Sequence, residues 1–142
     1  MVKSGLIAAV AAFLLELGIA LVFPLCMPCA AIVIGLIAGF LSGVFDKPID
    51  GGQAAKIGAL SGAIGTIGAV VGQIGGQIIN AVVVSPEQMA EIYRTIGIPT
   101  VIEPSTYYAG VIINIICFGI FNLVLMVGLG AVGGLLWRQF NK

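Results

Sequence analysis

The stretch 51–84, GGQAAKIGALSGAIGTIGAVVGQIGGQIINAVVV, holds nine glycines in 34 residues. In water each glycine would weaken a helix by roughly 0.5–1 kcal/mol relative to alanine. In lipid the balance differs. Backbone groups must be paired within the segment, so an apolar stretch of this length is helical whatever its glycine count. The glycines then become flat places where a second helix approaches closely. The stretch is expected to be a membrane-spanning helix and the packing hub of a small bundle.

Composition agrees. Of the 142 residues, 60% are hydrophobic and 8% charged, against about 25% charged in a soluble domain. So little charge covers the two caps of a bundle whose flanks face lipid, not the whole surface of a soluble protein. Net charge is zero, which gives no basis for binding nucleic acid. Histidine is absent, so the commonest imidazole base and metal ligand is missing, and no metal site is expected. The length suits a single domain, 1–142.

Four apolar runs reach the ~20 residues needed to cross a hydrocarbon core. They are 4–23, 28–45, 53–84 and 107–137. With the N-terminus inside, Lys3, Lys47, Lys56, Arg138 and Lys142 fall on the inner side and Arg94 alone on the outer. The positive-inside rule then puts both termini in the cytoplasm. Tyr107 and Tyr108 would anchor the outer end of the last span, and Trp137 its inner end. The first run has Lys3 and an apolar core, as a signal peptide has. However, Glu16 interrupts that core, and Leu25 and Pro28 precede Cys26 and Cys29 where a lipoprotein peptidase needs small residues, so cleavage is not expected.

The connections carry their own signals. A few residues around Pro24 and Pro28 join the first two spans in a tight antiparallel hairpin. Asp50 and Gln53 resemble a capping box at the start of the third span. Ser85-Pro86-Glu87 reads as N-cap, proline at the first helical position and acid in the first turn. Met89, Ile92, Tyr93 and Ile96 follow at helical spacing, and Gly97 stops the run. A short amphipathic helix, about 86–96, is expected on the outer membrane surface or the bundle mouth. Pro99 and Pro104 are expected to hold 98–106 extended. The fold class is thus all-α: an integral membrane four-helix bundle, N-in and C-in, with one short surface helix between the third and fourth spans.

On the third span Ala55, Gly58, Gly62, Gly65, Ala69, Gly72 and Gly76 fall on one narrow stripe, with Ala54, Ser61, Gly68 and Gly75 beside it. The second span carries Gly35, Gly39 and Gly43 at matching spacing, and the fourth Gly130, Gly133 and Gly134. Small residues four apart let two backbones meet. The expected partner of the third-span stripe is the second span of the same chain. A seam between subunits is the alternative, and the two can coexist.

Polar residues also reach membrane depth. Thr66, Gln73, Gln77 and Asn80 line one edge of the third span, Glu16 lies on the first, and Asn114 and Asn122 lie on the fourth. Counting about 1.5 Å per residue from the helix ends puts Glu16 level with Gln73 and Asn122 near the midplane. No lysine or arginine lies at that depth, so hydrocarbon favours the neutral acid, which can donate to an amide such as Gln73. Two readings stay open: a site that handles a proton or cation, and a satisfied interhelical cluster that fixes register.

Cys26-Met-Pro-Cys29 opens the second span at the outer face, with Cys29 in the first helical turn, where free N–H groups stabilise a thiolate. The spacing permits a disulfide. Cys117, within the fourth span, reads as a small apolar residue. Four spans with C-x-x-C opening the second, and a surface helix between the third and fourth, look like the quinone-coupled disulfide-generating membrane proteins of the bacterial envelope. That resemblance implies that Cys26 and Cys29 pass electrons to a quinone cofactor. The family's second cysteine pair has no counterpart in 85–106, and no basic residue follows Cys29 to stabilise a quinone charge-transfer state. The stretch 26–76 also resembles small uncharacterised multipass proteins of prokaryotes. Gly35, Ala38 and Gly39 after the cysteines, then Gly58, Ala59, Gly62 and Ala63, carry that likeness, which implies no activity.

The leading expectation is a non-enzymatic protein of the prokaryotic cytoplasmic membrane, without a cofactor. It would act by close helix packing with itself or a membrane partner. The alternatives are a small proton- or cation-linked transporter or channel using Glu16, and a thiol–disulfide oxidoreductase using Cys26 and Cys29.

Overall fold

The computed structural model describes residues 2–22, 27–98 and 103–141. These form five helices and, among the described residues, no strand. They are α1 (Val2–Val22), α2 (Met27–Asp46), α3 (Gly51–Val83), α4 (Pro86–Thr95) and α5 (Pro104–Phe140). All but α4 are long and apolar enough to cross a membrane. Each expected apolar run folds as one helix, with ends moved by a few residues. The largest change is at α5. Pro104 is not in extended chain: it occupies the first turn of the helix, where its fixed φ fits and its missing N–H costs nothing. Residues 99–102, including Pro99, lie outside the described residues.

The helix starts follow their caps. The Asp50 side chain accepts from Gln53 N at 2.7 Å, while the Gln53 side chain accepts from Ile49 N at 2.9 Å. The reciprocal bond thus reaches one residue further back than in a capping box. α2 ends with Lys47 in the left-handed region (φ 43°), followed by Pro48, which cannot continue a helix. At α4 the box is complete: Gln88 N donates to Ser85 Oγ at 3.3 Å, and Ser85 N to Gln88 Oε1 at 3.0 Å. Gly97, at φ 83°, closes α4.

The Ser85 hydroxyl, and then its own backbone N–H, hold the exposed Glu87 carboxyl below the usual carboxylate range. A depressed acid favours the fold above its unfolded pKa and loses that contribution as pH falls through the folded value. Amide protection in α4 is therefore expected to fall when a sample is acidified through the carboxylate range. Ser85→Ala should cost the helix about 1 kcal/mol and weaken this pH dependence, both read by hydrogen exchange.

The four long helices alternate in direction. Ser61 Oγ donates to Ala38 O (3.1 Å) and lies 3.2 Å from Ser4 Oγ, which fixes α1, α2 and α3 at one level. α3 packs along α1 and α5, and α2 along α5, with smaller α2–α3 and α1–α2 contacts. α1 and α5 stand at opposite corners.

The glycines explain this arrangement. Gly58 and Gly62 of α3 lie against the backbone of Gly130 and Met126 in α5, while Gly68 and Gly72 lie against Ala9 and Phe13 in α1. Gly65 touches both Met126 and Ala8, and Gly76 meets Ala20. The α3 stripe therefore packs α5 and α1, not α2 as the sequence suggested. Gly35, Gly39 and Gly43 of α2 turn instead to Met126, Gly130 and Trp137 of α5. Gly130 is a crossing point, reached by Gly39 from one side and Gly58 from the other. The α5 backbone can sit against both neighbours only because none of these residues has a Cβ.

Candidate functional site

α1 and α2 are staggered on α3, and this sets the level of the polar groups. Near the end of α1, Ala20 O accepts from Asn80 Nδ2 at 2.6 Å. The first turns of α2 pack lower: Ala30 and Ala31 share a buried cluster with Ala8, Ala12, Ala69 and Met126. Counting helix rise, α2 starts roughly 10 Å below the end of α1. Above that level the long helices among the described residues are α1, α3 and α5.

Glu16, Gln73 and Asn122 each have no exposed surface. α1 brings Glu16 to α3 because the glycines beside it, Gly72 and Gly76, let Phe13, Leu17 and Ala20 settle on the α3 backbone. From α5, Asn122 Nδ2 donates to Glu16 Oε1 at 3.5 Å, a bond across the bundle diagonal. Gln73 Nε2 donates to Ile115 O of α5 at 3.4 Å. Three oxygens remain without a hydrogen-bond partner: Glu16 Oε2, Gln73 Oε1 and Asn122 Oδ1. Leaving a buried acceptor unmade costs about 1–3 kcal/mol, and more if the group is charged. Two of the three belong to side chains that bond each other, Glu16 and Asn122, while Gln73 meets α5 two turns away at Ile115.

The other polar residues belong to separate contacts. Gln77 Nε2 donates to Asn114 Oδ1 at 3.2 Å, tying α3 to α5 one turn further out. Asn80 bonds α1, as above. Thr66 Oγ1 donates to Gly62 O of its own helix at 3.0 Å and lines a shallow apolar groove with Val70, Ile115, Ile116, Gly119, Ile120 and Leu123. The edge of α3 thus divides into Gln73, with an unpaired oxygen, and three residues with closed pairings, Thr66, Gln77 and Asn80. Tyr107 Oη adds a tie at the loop end, donating to Val84 O at 3.0 Å.

Sequence reasoning placed Glu16 level with Gln73. It did not single out the Asn122–Glu16 bond, because that contact depends on which helices stand on the diagonal. It also missed Ser4 and Ser42. The Ser42 hydroxyl donates to Gly39 O at 2.6 Å. A serine three residues after a packing glycine was the available signal for it.

Cys29 lies in the first turn of α2 and is exposed, as is Cys117 on α5. Because α2 starts low, Cys29 lies below the end of the bundle where α1 finishes. By helix rise this is about 15–20 Å below Val84. Cys26 lies outside the described residues. Among the described residues no group of three His, Cys, Asp or Glu could hold a metal ion. On the expected apolar face, Ile92 and Tyr93 of α4 and Ile96 at its C-cap are exposed, while Met89 is half-buried.

Comparison with known proteins gives no assignment: no family model matches the chain, and neither the curated proteins nor the solved structures contain a significant match.

Proposed function

We propose that the chain is an integral protein of a prokaryotic cytoplasmic membrane, with both termini in the cytoplasm, acting as a small proton- or cation-linked transporter or channel centred on Glu16. One observation carries this reading: a fully buried Glu16 carboxyl that bonds the fully buried Asn122, with oxygens of both, and of the buried Gln73, left without hydrogen-bond partners among the described residues. An ionisable side chain at such depth is expensive, and function is the usual reason it persists. Packing with a second copy through the glycine seams has less support, because α1 and α5 of the same chain already occupy the α2 and α3 glycines. Under this reading α4 lies on the outer surface, with Ile92, Tyr93 and Ile96 toward the acyl chains.

The test is flux in proteoliposomes holding the purified protein under an imposed sodium or proton gradient. Wild type is expected to dissipate the gradient. Glu16→Gln keeps the size and hydrogen-bonding capacity of the side chain, and should reduce flux at least tenfold while the protein still elutes as a folded species. Equal flux in both proteins, or none in either, would reject the reading.

A further inference from the structure

We infer that Glu16 and Asn122 form a proton-binding pair: a proton on Glu16 Oε2 is donated to Asn122 Oδ1, and the two side chains then join α1 to α5 through a reciprocal acid–amide ring. The inference rests on the functional reading above for its place in the membrane and deepens it. It names the proton, not a metal cation, as the ion Glu16 takes up, and Asn122 as the residue that positions it.

The count of donors and acceptors selects the proton. A carboxylic acid and a primary amide are complementary, since each planar group presents one donor and one acceptor side by side. Half of that ring is in place: Asn122 Nδ2 donates to Glu16 Oε1 at 3.5 Å. The atoms that would make the other half, Glu16 Oε2 and Asn122 Oδ1, are the two that this pair leaves without partners. While Glu16 is ionised both are acceptors and have nothing to exchange. One proton on Oε2 supplies the missing donor and satisfies both. A proton on a carboxyl needs no cavity of its own, which suits two side chains with no exposed surface. Gln73 stays outside the pair, bonded to Ile115 O two turns along α5.

No opposite charge takes the proton's place beside Glu16. From the elements around α1, α3 brings the uncharged Gln73 and α5 the uncharged Asn122. The titratable groups of α2 among the described residues are Cys29, which is exposed, and Asp46 at the end of the bundle that holds the termini. Lys3, Lys56 and Arg138 lie toward that same end, with Lys3 about 20 Å along α1 from Glu16. Tyr107 and Tyr108 lie at the opposite end, and Cys117 is exposed. Without the proton a negative charge is therefore buried with one long amide bond to hold it. The step balances: an O–H bond forms at Oε2 as a proton arrives from water, the carboxylate charge is neutralised, and no electron moves.

The experiment is an infrared difference spectrum of the full chain in nanodiscs, acidic minus alkaline buffer, recorded in sodium chloride and in choline chloride. Wild type should gain a protonated-carboxyl band in acid that Glu16→Gln lacks. With asparagine carrying a carbon-13 side-chain amide, an amide band should shift at the same pH as that carboxyl band, because Asn122 Oδ1 gains a hydrogen bond. Asn122→Leu should lose the amide shift and move the Glu16 band to the position of an acid with no hydrogen bond. Both salts should give the same spectra. A carboxyl band unaltered by Glu16→Gln, an amide region indifferent to pH, or a Glu16 band displaced by sodium would each overturn the pair. A shared titration without flux would overturn the transport reading and leave the pair standing. Flux lost in Glu16→Gln, with no shared titration, would do the reverse.

Discussion

Gly39→Ala should come close to dismantling the bundle, although it adds one methyl group. A Cβ built at Gly39 falls on the carbonyl of Gly130, backbone against backbone, with no flexible side chain to move aside. α2 would have to lift off α5, and Gly130 is also the point where α5 rests on Gly58 of α3. Overpacking of a close-fitting core costs about 1–3 kcal/mol, and this site belongs at the top of that range because three backbones share it. Gly62→Ala and Gly68→Ala, which meet the carbonyls of Met126 and Ala9, should behave alike. The controls are Gly18→Ala and Gly128→Ala. Nothing lies within 4 Å of a Cβ at either position, so relief of glycine's helix penalty should leave them neutral or stabilised by about 0.5 kcal/mol. Thermal unfolding of the five variants in detergent reads the contrast directly. Equal effects at buried and open glycines would mean that the helices do not meet as described.

The second large effect concerns the polar centre. If Glu16, Gln73 and Asn122 served mainly to hold helices in register, removing them would weaken the bundle. The unpaired oxygens argue the opposite. Replacing all partners of a buried polar contact with apolar side chains of the same shape can be nearly neutral or stabilising. The combined variant Glu16→Leu, Gln73→Met and Asn122→Leu is therefore expected to unfold no earlier than wild type, and in alkaline buffer, where Glu16 lacks its proton, later. It should show neither flux nor the shared titration. Changing all three together matters. Glu16→Leu alone would strand Asn122 Nδ2, whose only described acceptor is Glu16 Oε1, and would look destabilising for that local reason.

Much of the architecture was legible in the residues. Length and hydropathy mark the four long helices, and local capping chemistry marks where α3 and α4 begin. Ser85 and Gln88 act within four residues of each other, so no tertiary knowledge was required. Which helix lies against which was not legible. A glycine stripe shows that a backbone will come close, but not whose. α2, α3 and α5 all carried suitable glycines, and the arrangement was settled by how all three meet at Gly130. The centre was half legible for the same reason. Rise per residue placed Glu16 beside Gln73, because α1 and α3 run parallel. Asn122 reaches Glu16 only because α1 and α5 occupy opposite corners and α2 starts low. The stagger of α2 also places Cys29 below the end of α1, not level with it as a count from the hairpin had placed it.

One comparison tests the central claim, that Glu16 and Asn122 are kept to bind a proton and not for stability. Wild type and the triple apolar variant would be unfolded thermally side by side in the same nanodiscs, in mildly acidic and in alkaline buffer. Wherever the folded state holds more protons than the unfolded, stability falls as pH rises. The variant should therefore unfold above the wild-type midpoint in alkali, by a margin that shrinks on acidification. A variant that unfolds well below wild type in both buffers, by the same margin, would show that the three side chains hold the bundle together and bind no proton.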